Sequence, residues 1–306
     1  MRCRLLTYRP KNRWGTAPAA RSCLDQLRRQ LTAHVWLNNL QIDALPLALC
    51  VVGPTGEGKT FNVRTILNEL GVRVYGIAAS AMAHHQEGMA LFPFIRAYRD
   101  ASMERSSPNV RNAQLVAVMV DDIDRSIASG FEKVGHTLHS QLVTGLIMHL
   151  CDNPYTIPDE KTREMVTVSR IPLVLTANRI SGLDAALRRP QRMTMFKYHL
   201  EFEEKVAILG NVFYALDAER QQRWRTALSM NDVRALLRRF PNQPVAFFAD
   251  IVSQYWVETT YEILEGGRYP SKEDMELQLS GSLLNLDFEK AREIGEYIED
   301  GRDYGE

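Results

Sequence analysis

The chain has 306 residues, 45% hydrophobic and 24% charged, with 37 basic side chains against 37 acidic ones. That length exceeds one typical domain, and the composition is ordinary for a globular protein able to bury a substantial core. The balanced charge argues neither for nor against nucleic acid; no apolar run approaches the roughly 18 residues of a membrane span. Cys3, Cys23, Cys50 and Cys151 are far apart and form no C-x-x-C, which suits reduced thiols better than a disulfide frame or a zinc site.

Residues 1–22 are basic, carry Pro10, Gly15 and Pro18, show no periodicity and read as a mobile N-terminal arm. Among the first thirty residues, Arg2, Arg4, Arg9, Lys11, Arg13, Arg21, Arg28 and Arg29 stand against Asp25 alone. The last thirty-six are acidic, with eleven carboxylates from Glu273 to Glu306 against four bases. Ends of opposite sign could steer subunits or an acidic partner, and solvated faces explain the same pattern. The N-terminus has bases but no apolar h-region, so no secretory signal is visible and the expected compartment is the cytoplasm.

From Cys23 to Leu40, apolar residues recur at helical spacing. The run Leu47 to Val52 predicts a fully buried strand. It leads into Gly53-Pro54-Thr55-Gly56-Glu57-Gly58-Lys59-Thr60, which fits G-x-x-x-x-G-K-[ST], and a helix is expected over Phe61 to Leu70 with Gly71 past its end. Glycines let successive N–H groups point into one hollow, and the following helix brings its positive dipole end to the same place. Lys59 adds a full charge for the terminal phosphates of a nucleotide, and the Thr60 hydroxyl is placed to ligate Mg²⁺.

Val72 to Ile77 predicts a second strand, Leu91 to Met103 a helix, and Leu115 to Val120 a third buried strand that stops at Asp121-Asp122-Ile123-Asp124. In an open parallel sheet, ligands bind beyond the carboxyl ends of the strands. Acids there suit a metal and an attacking water: Asp121 is assigned Mg²⁺, Asp122 the water, and Asp124 support. A helix is expected over Leu138 to Leu150, a polar connection over Pro154 to Arg170, and a fourth strand over Ile171 to Thr176 that ends at Asn178, whose amide can hold the same water. A short helix near Leu183 to Arg188 precedes Arg189 and Arg192, then a fifth strand over Met193 to Tyr198. Guanidinium groups stabilise charge on a transferring phosphoryl group and can come from a neighbouring subunit. His136 and His139 stand one helical turn apart without a third ligand, so a metal is not expected there.

Strands alternating with helices imply a parallel sheet. After Leu200 the segments Glu201 to Leu216, Ala218 to Leu228, Asn231 to Arg239 and Pro244 to Leu264 all read as helical. The expected organisation is therefore the arm over 1–22, an α/β nucleotide-binding domain over 23–200 and an all-helical lid domain with an acidic tail over 201–306.

The order of phosphate loop, hydrophobic-Asp-Asp, strand-Asn and Arg-x-x-Arg, followed by a helical lid, resembles the AAA+ ATPases, and within them most resembles Rubisco activase. Cys151-Asp152-Asn153-Pro154 and Phe240-Pro241-Asn242-Gln243-Pro244 with Phe247-Phe248 point to activase more narrowly. The likeness covers roughly residues 23 to 264. It implies an α/β AAA+ P-loop NTPase fold, with a five-stranded parallel sheet and a C-terminal helical lid. It also implies ATP and Mg²⁺ as cofactors, and a homo-oligomeric ring, usually a hexamer, with nucleotide at the subunit interface.

By position, the resemblance gives Gly53 to Phe61 to nucleotide, Thr60 and Asp121 to Mg²⁺, Asp122 to the water, Asn178 to sensing, and Arg189 and Arg192 to the fingers reaching an adjacent subunit. Loops near Met82 to Met89 and Arg125 to His136 would grip a client protein in the central pore; the client it implies is inhibited Rubisco. Nucleic acid and membrane are not expected partners. The chain departs from the family in carrying a short basic arm where a client-recognition domain is expected. Val252 and Gln254 stand where activases have lid arginines. Two other readings are a DNA-directed AAA+ protein, supported only by the basic arm, and a ring component that turns over slowly because Asp122 is one methylene shorter than the usual Glu.

Overall fold

A computed structural model describes residues 22–43, 45–78, 91–106, 114–124, 134–160, 162, 164–214, 226–265, 270–282 and 285–303. The basic arm and most of both expected pore segments, 82–89 and 125–133, lie outside the described residues. The chain divides into two units, one from Pro18–Thr55 and Lys59–His199, the other from Leu200–Glu306 with Gly56–Gly58.

The first unit is built on a five-stranded parallel sheet. Its strands are β1 (Ala48–Val52), β2 (Arg73–Ala78), β3 (Val116–Asp121), β6 (Leu173–Ala177) and β7 (Met193–Lys197), in the order β2-β3-β6-β1-β7. Every residue of β1 and β6 is buried, as expected for strands covered on both faces. Side chains alternate between faces. Ala48, Cys50, Val52, Val116, Val118, Val120, Leu173, Leu175 and Ala177 share one core with Phe94, Ile95 and Tyr98 of α3 (Phe92–Arg105) and with Val143, Ile147 and Leu150 of α4 (Val134–Asp152). The intervening Leu49, Val51, Ala117, Met119 and Val174 are buried as well. They belong to the opposite face, on the side of α1 (Cys23–Asn39) and α2 (Lys59–Glu69), which pack against each other and touch β3 and β2.

Two sequence expectations are corrected in this unit. The connection over Pro154 to Arg170 contains a two-stranded antiparallel hairpin, β4 (Thr156–Pro158) with β5 (Met165–Thr167). Three-residue strands are too short for a periodicity to register. The buried Tyr98 hydroxyl holds its base, donating to Pro154 O at 3.1 Å and accepting from Ile171 N–H at 3.1 Å. In place of the helix near Leu183 to Arg188 there is a 3₁₀ turn at Ile180–Gly182 followed by turns. The Asp184 carboxylate accepts from Ala186 N–H at 2.7 Å, the local side-chain bond that competes with helix propagation.

The C-terminal end of α1 is tied to the sheet by polar bonds. Asn39 donates to Val116 O at 2.9 Å and accepts from Val116 N–H at 3.1 Å, while Arg170 donates to Asn38 Oδ1 at 2.7 Å and to Leu45 O at 2.7 Å. His34 is buried beside them with Nε2 3.1 Å from Leu173 O. Burial lowers its pKa to about 4 from 6.5, against the raising effect of the backbone contact. An unfolded chain would take up this proton near pH 6.5 and the folded one only near pH 4. Stability is therefore full above pH 6.5 and falls as the pH drops towards 4, by ~3 kcal/mol from this group. Denaturant midpoints measured from neutral to acid pH should fall more steeply in the parent than in His34→Gln; parallel curves would show that His34 does not titrate this way.

The second unit is helical among its described residues: α5 (Phe202–Tyr214), α6 (Met230–Arg239), α7 (Val245–Glu265), α8 (Lys272–Ser282) and α9 (Phe288–Asp303). A capping box starts α6, with Ser229 and Asp232 each bonding the other's backbone N–H. Phe240, Phe247 and Phe248 form its aromatic centre, with ring centroids 5.1 to 6.5 Å apart. Gly295 of α9 packs against that centre: a Cβ there would lie 2.7 Å from Phe240.

The acidic tail holds two helices that the sequence reading did not separate. Their signals are local caps, Ser271 accepting from Asp274 N–H at 3.1 Å and Asp287 accepting from Lys290 N–H at 2.9 Å. Ala291 and Ile294 turn inward on α9. Of the expected helix over Ala218 to Leu228, residues 218–225 lie outside the described residues, and 226–228 are not helical: Ala227 N–H donates to Leu286 O at 3.1 Å.

Candidate functional site

The sheet order decides what can meet. β6 lies between β1 and β3, so the residues leaving the carboxyl end of β6 stand between the phosphate loop after β1 and the acids after β3. This is the position where open parallel sheets bind ligands.

Gly53, Gly56 and Gly58 are needed for two distinct reasons. Gly53 N–H donates to Ala177 O at 3.2 Å, and a Cβ at Gly53 would lie 2.2 Å from Tyr198 O, so only glycine fits against the strand end. Gly56 and Gly58 have φ of 78° and 82°, the left-handed region that other residues enter at a cost. Glu57 is buried in its unit, where Oε1 accepts from Lys205 Nζ at 2.6 Å; its Oε2 has no partner among the described residues. Pro54, Thr55 and Phe61 are exposed, and Thr60 is half-buried at the start of α2.

Lys59 is 6% exposed. Its ammonium donates to Pro54 O at 2.7 Å and to Asn178 Oδ1 at 3.0 Å. Asn178 in turn donates through Nδ2 to Asp122 Oδ1 at 3.2 Å. Asp122 has φ of 51°, a left-handed conformation that Asp tolerates better than most side chains. Its N–H donates to Thr176 Oγ1 at 3.0 Å, and the Thr176 hydroxyl donates to Asp121 Oδ1 at 3.3 Å. Lys59, Asn178, Asp122, Thr176 and Asp121 therefore form one chain of hydrogen bonds across the ends of three strands.

Sequence reasoning missed Thr176 as part of this network. Its alternation within β6 placed it simply as a buried strand residue, yet a fully buried hydroxyl at a strand end needs a partner, and that was the available signal. Arg64 was missed too: its guanidinium lies 2.5 Å from Asp121 Oδ2. Asp124 is buried, accepts from Arg179 N–H at 3.2 Å through Oδ2, and so pins the backbone directly after Asn178.

Arg189 and Arg192 have different surroundings. Arg189 is exposed, with no side-chain partner among the described residues, while Arg192 makes a bidentate ion pair with Asp152 at the end of α4, at 2.7 and 2.5 Å. On α7, Val252 packs into the core of its unit, and Gln254 bonds Glu258 at 3.4 Å.

A magnesium ion suits the residues at this site. Asp121 and Thr60 offer the hard oxygen donors that Mg²⁺ takes, and the Asp121 carboxylate already receives a cationic group, the Arg64 guanidinium. Among the described residues no cluster of three or more His, Cys, Asp or Glu could hold a transition metal; the side chains of His136 and His139 lie outside those residues. Nor is any described helix long and apolar enough to cross a membrane.

Residues 49–199 match the family described as ATPase family associated with various cellular activities (AAA). That match spans every strand end and loop just described. The chain carries an AAA+ ATPase domain. It is similar to ribulose bisphosphate carboxylase/oxygenase activase of Anabaena sp. (strain CA), 29% identical over 256 residues, which is 83% of this chain and 58% of the relative. The corresponding protein of Nostoc sp. (strain PCC 7120) is 28% identical over 229 residues, 74% of this chain and 52% of its own. The chloroplastic activase of Chlamydomonas reinhardtii is 23% identical over 240 residues, 75% and 55% respectively. The chain thus spans between half and three fifths of the length of these curated relatives, and with its AAA domain it resembles Rubisco activase.

Proposed function

We propose that the chain binds Mg-ATP at the phosphate loop, hydrolyses it at the interfaces of a homo-oligomeric ring, and uses the cycle to remodel a client protein. The observation that carries this reading is the hydrogen-bonded chain from Lys59 through Asn178 to Asp122, which sets a cation, an amide and a carboxylate side by side at the mouth of the loop.

In this reading the backbone N–H groups of Gly53 to Thr60 cradle the phosphates, and Phe61 continues into the helix behind them. Lys59 exchanges its present acceptors for phosphate oxygens. Asp121 and Thr60 would hold Mg²⁺, which would supply positive charge to offset that of the nucleotide phosphates. Asp122 accepts a proton from the attacking water, and Asn178, already bonded to Asp122, orients that water. Arg189 extends towards the γ-phosphate of a neighbouring subunit. A hexamer is the ring this reading favours, and inhibited Rubisco is the client, because the relatives are named activases of that carboxylase.

The test is ATP turnover as a function of protein concentration, with and without inhibited Rubisco. Turnover per chain should rise as the protein assembles, and Arg189→Ala should lower it by about 10³-fold while leaving nucleotide binding intact. Full turnover by strictly monomeric protein would remove the interfacial site. Unrecovered carboxylation in the presence of ATP would remove Rubisco as the client and leave the ATPase standing.

A further inference from the structure

We infer that Asp152 is a positioning residue for ATP hydrolysis: through its ion pair with Arg192 it holds the loop that presents Arg189. This rests on the interfacial role proposed for Arg189. It divides between two jobs a pair of arginines that the Arg-x-x-Arg spacing makes look equivalent.

The geometry is that of a staple. Arg192 reaches outward from its loop in two directions: Nε and Nη2 grip both oxygens of Asp152 at 2.7 and 2.5 Å, and Nη1 donates to Ala186 O at 3.1 Å. Two parallel charge-assisted bonds fix orientation as well as distance, which a single surface contact does not. Asp152 ends α4, so the cation also lies near the negative end of that helix dipole. Hydrogen bonding to Asp152 raises the Arg192 pKa further, keeping the guanidinium charged.

The backbone closes the same loop. Arg192 N–H and Met193 N–H both donate to Arg189 O, at 2.9 and 3.1 Å, and Ala48 N–H donates to Arg192 O at 3.4 Å on the neighbouring strand. Leu187 is fully buried below. Between these anchors Arg188, Arg189, Pro190 and Gln191 remain exposed. One arginine is thus committed to its own chain, and the other, unpartnered among the described residues, stands on a loop held at both ends. A guanidinium that must reach across to another subunit carries rotamer entropy, and anchoring its backbone leaves only the side chain to be ordered.

The experiment compares Asp152→Ala and the near-isosteric Asp152→Asn with the parent, measuring turnover, ATP affinity and Tm in the assembled protein. Turnover should fall about 10-fold to 100-fold with ATP affinity held within about two-fold, and Asp152→Glu should restore part of it. Adding Asp152→Ala to Arg189→Ala should cost nothing further, because the first acts only through the second. Normal turnover in both Asp152 variants beside an impaired Arg189→Ala overturns this inference alone. So does additive loss in the double variant, or faster turnover in Asp152→Ala, which would mean that the pair holds the loop back. Normal turnover in Arg189→Ala removes the interfacial reading beneath it and this inference with it.

Discussion

Lys59→Ala should weaken ATP binding by about 100-fold or more. The ammonium is buried beside the loop and donates to two oxygens there, Pro54 O and Asn178 Oδ1. Bonds to a charged group contribute about 1.5–3 kcal/mol each, so losing those made to phosphate oxygens lowers affinity by two orders of magnitude. The same substitution takes a donor from Asn178, so the amide that faces Asp122 loses one of its two ties. The readout is the rise in Tm on adding saturating Mg-ATP, which follows from binding to the folded state alone. A variant that gains as much Tm as the parent would show that the nucleotide sits elsewhere.

Asp122→Asn should do the reverse: turnover falls by about 10²- to 10⁴-fold, as expected when a positioned base is removed, and ATP affinity is kept. Asparagine is the informative replacement. It tolerates the left-handed φ of 51° that this position requires, and its side-chain oxygen can still accept from Asn178 Nδ2. What it cannot do is take a proton from water. Single-turnover hydrolysis measured after mixing with Mg-ATP separates the chemical step from binding. Unchanged hydrolysis would mean that another group activates the water.

The chemistry at the strand ends was legible because it is written in short, contiguous patterns. The loop Gly53 to Thr60 needs Gly56 and Gly58 for a left-handed backbone that is a local requirement. A buried strand ending in Asp121-Asp122 or in Asn178 announces itself through the apolar run before it. The hairpin Thr156–Pro158 with Met165–Thr167 was not legible, because three-residue strands leave no period to read. The helices of the acidic tail were hidden differently: their buried faces are narrow, and charge dominates the composition around Ala291 and Ile294.

By itself, then, the sequence determined the parallel sheet, the phosphate loop and which residue types would stand at its rim. Local rules govern each of these: backbone sterics at glycine, alternation in strands, and the need to bury apolar runs. Only the tertiary structure decided which of those residues touch. That Thr176 links Asp121 to Asp122 depends on β6 lying beside β3, and that Arg192 turns to Asp152 while Arg189 does not depends on a helix end 40 residues away. Long polar side chains choose partners by what the fold brings within about 3 Å, and no spacing along the chain encodes that distance.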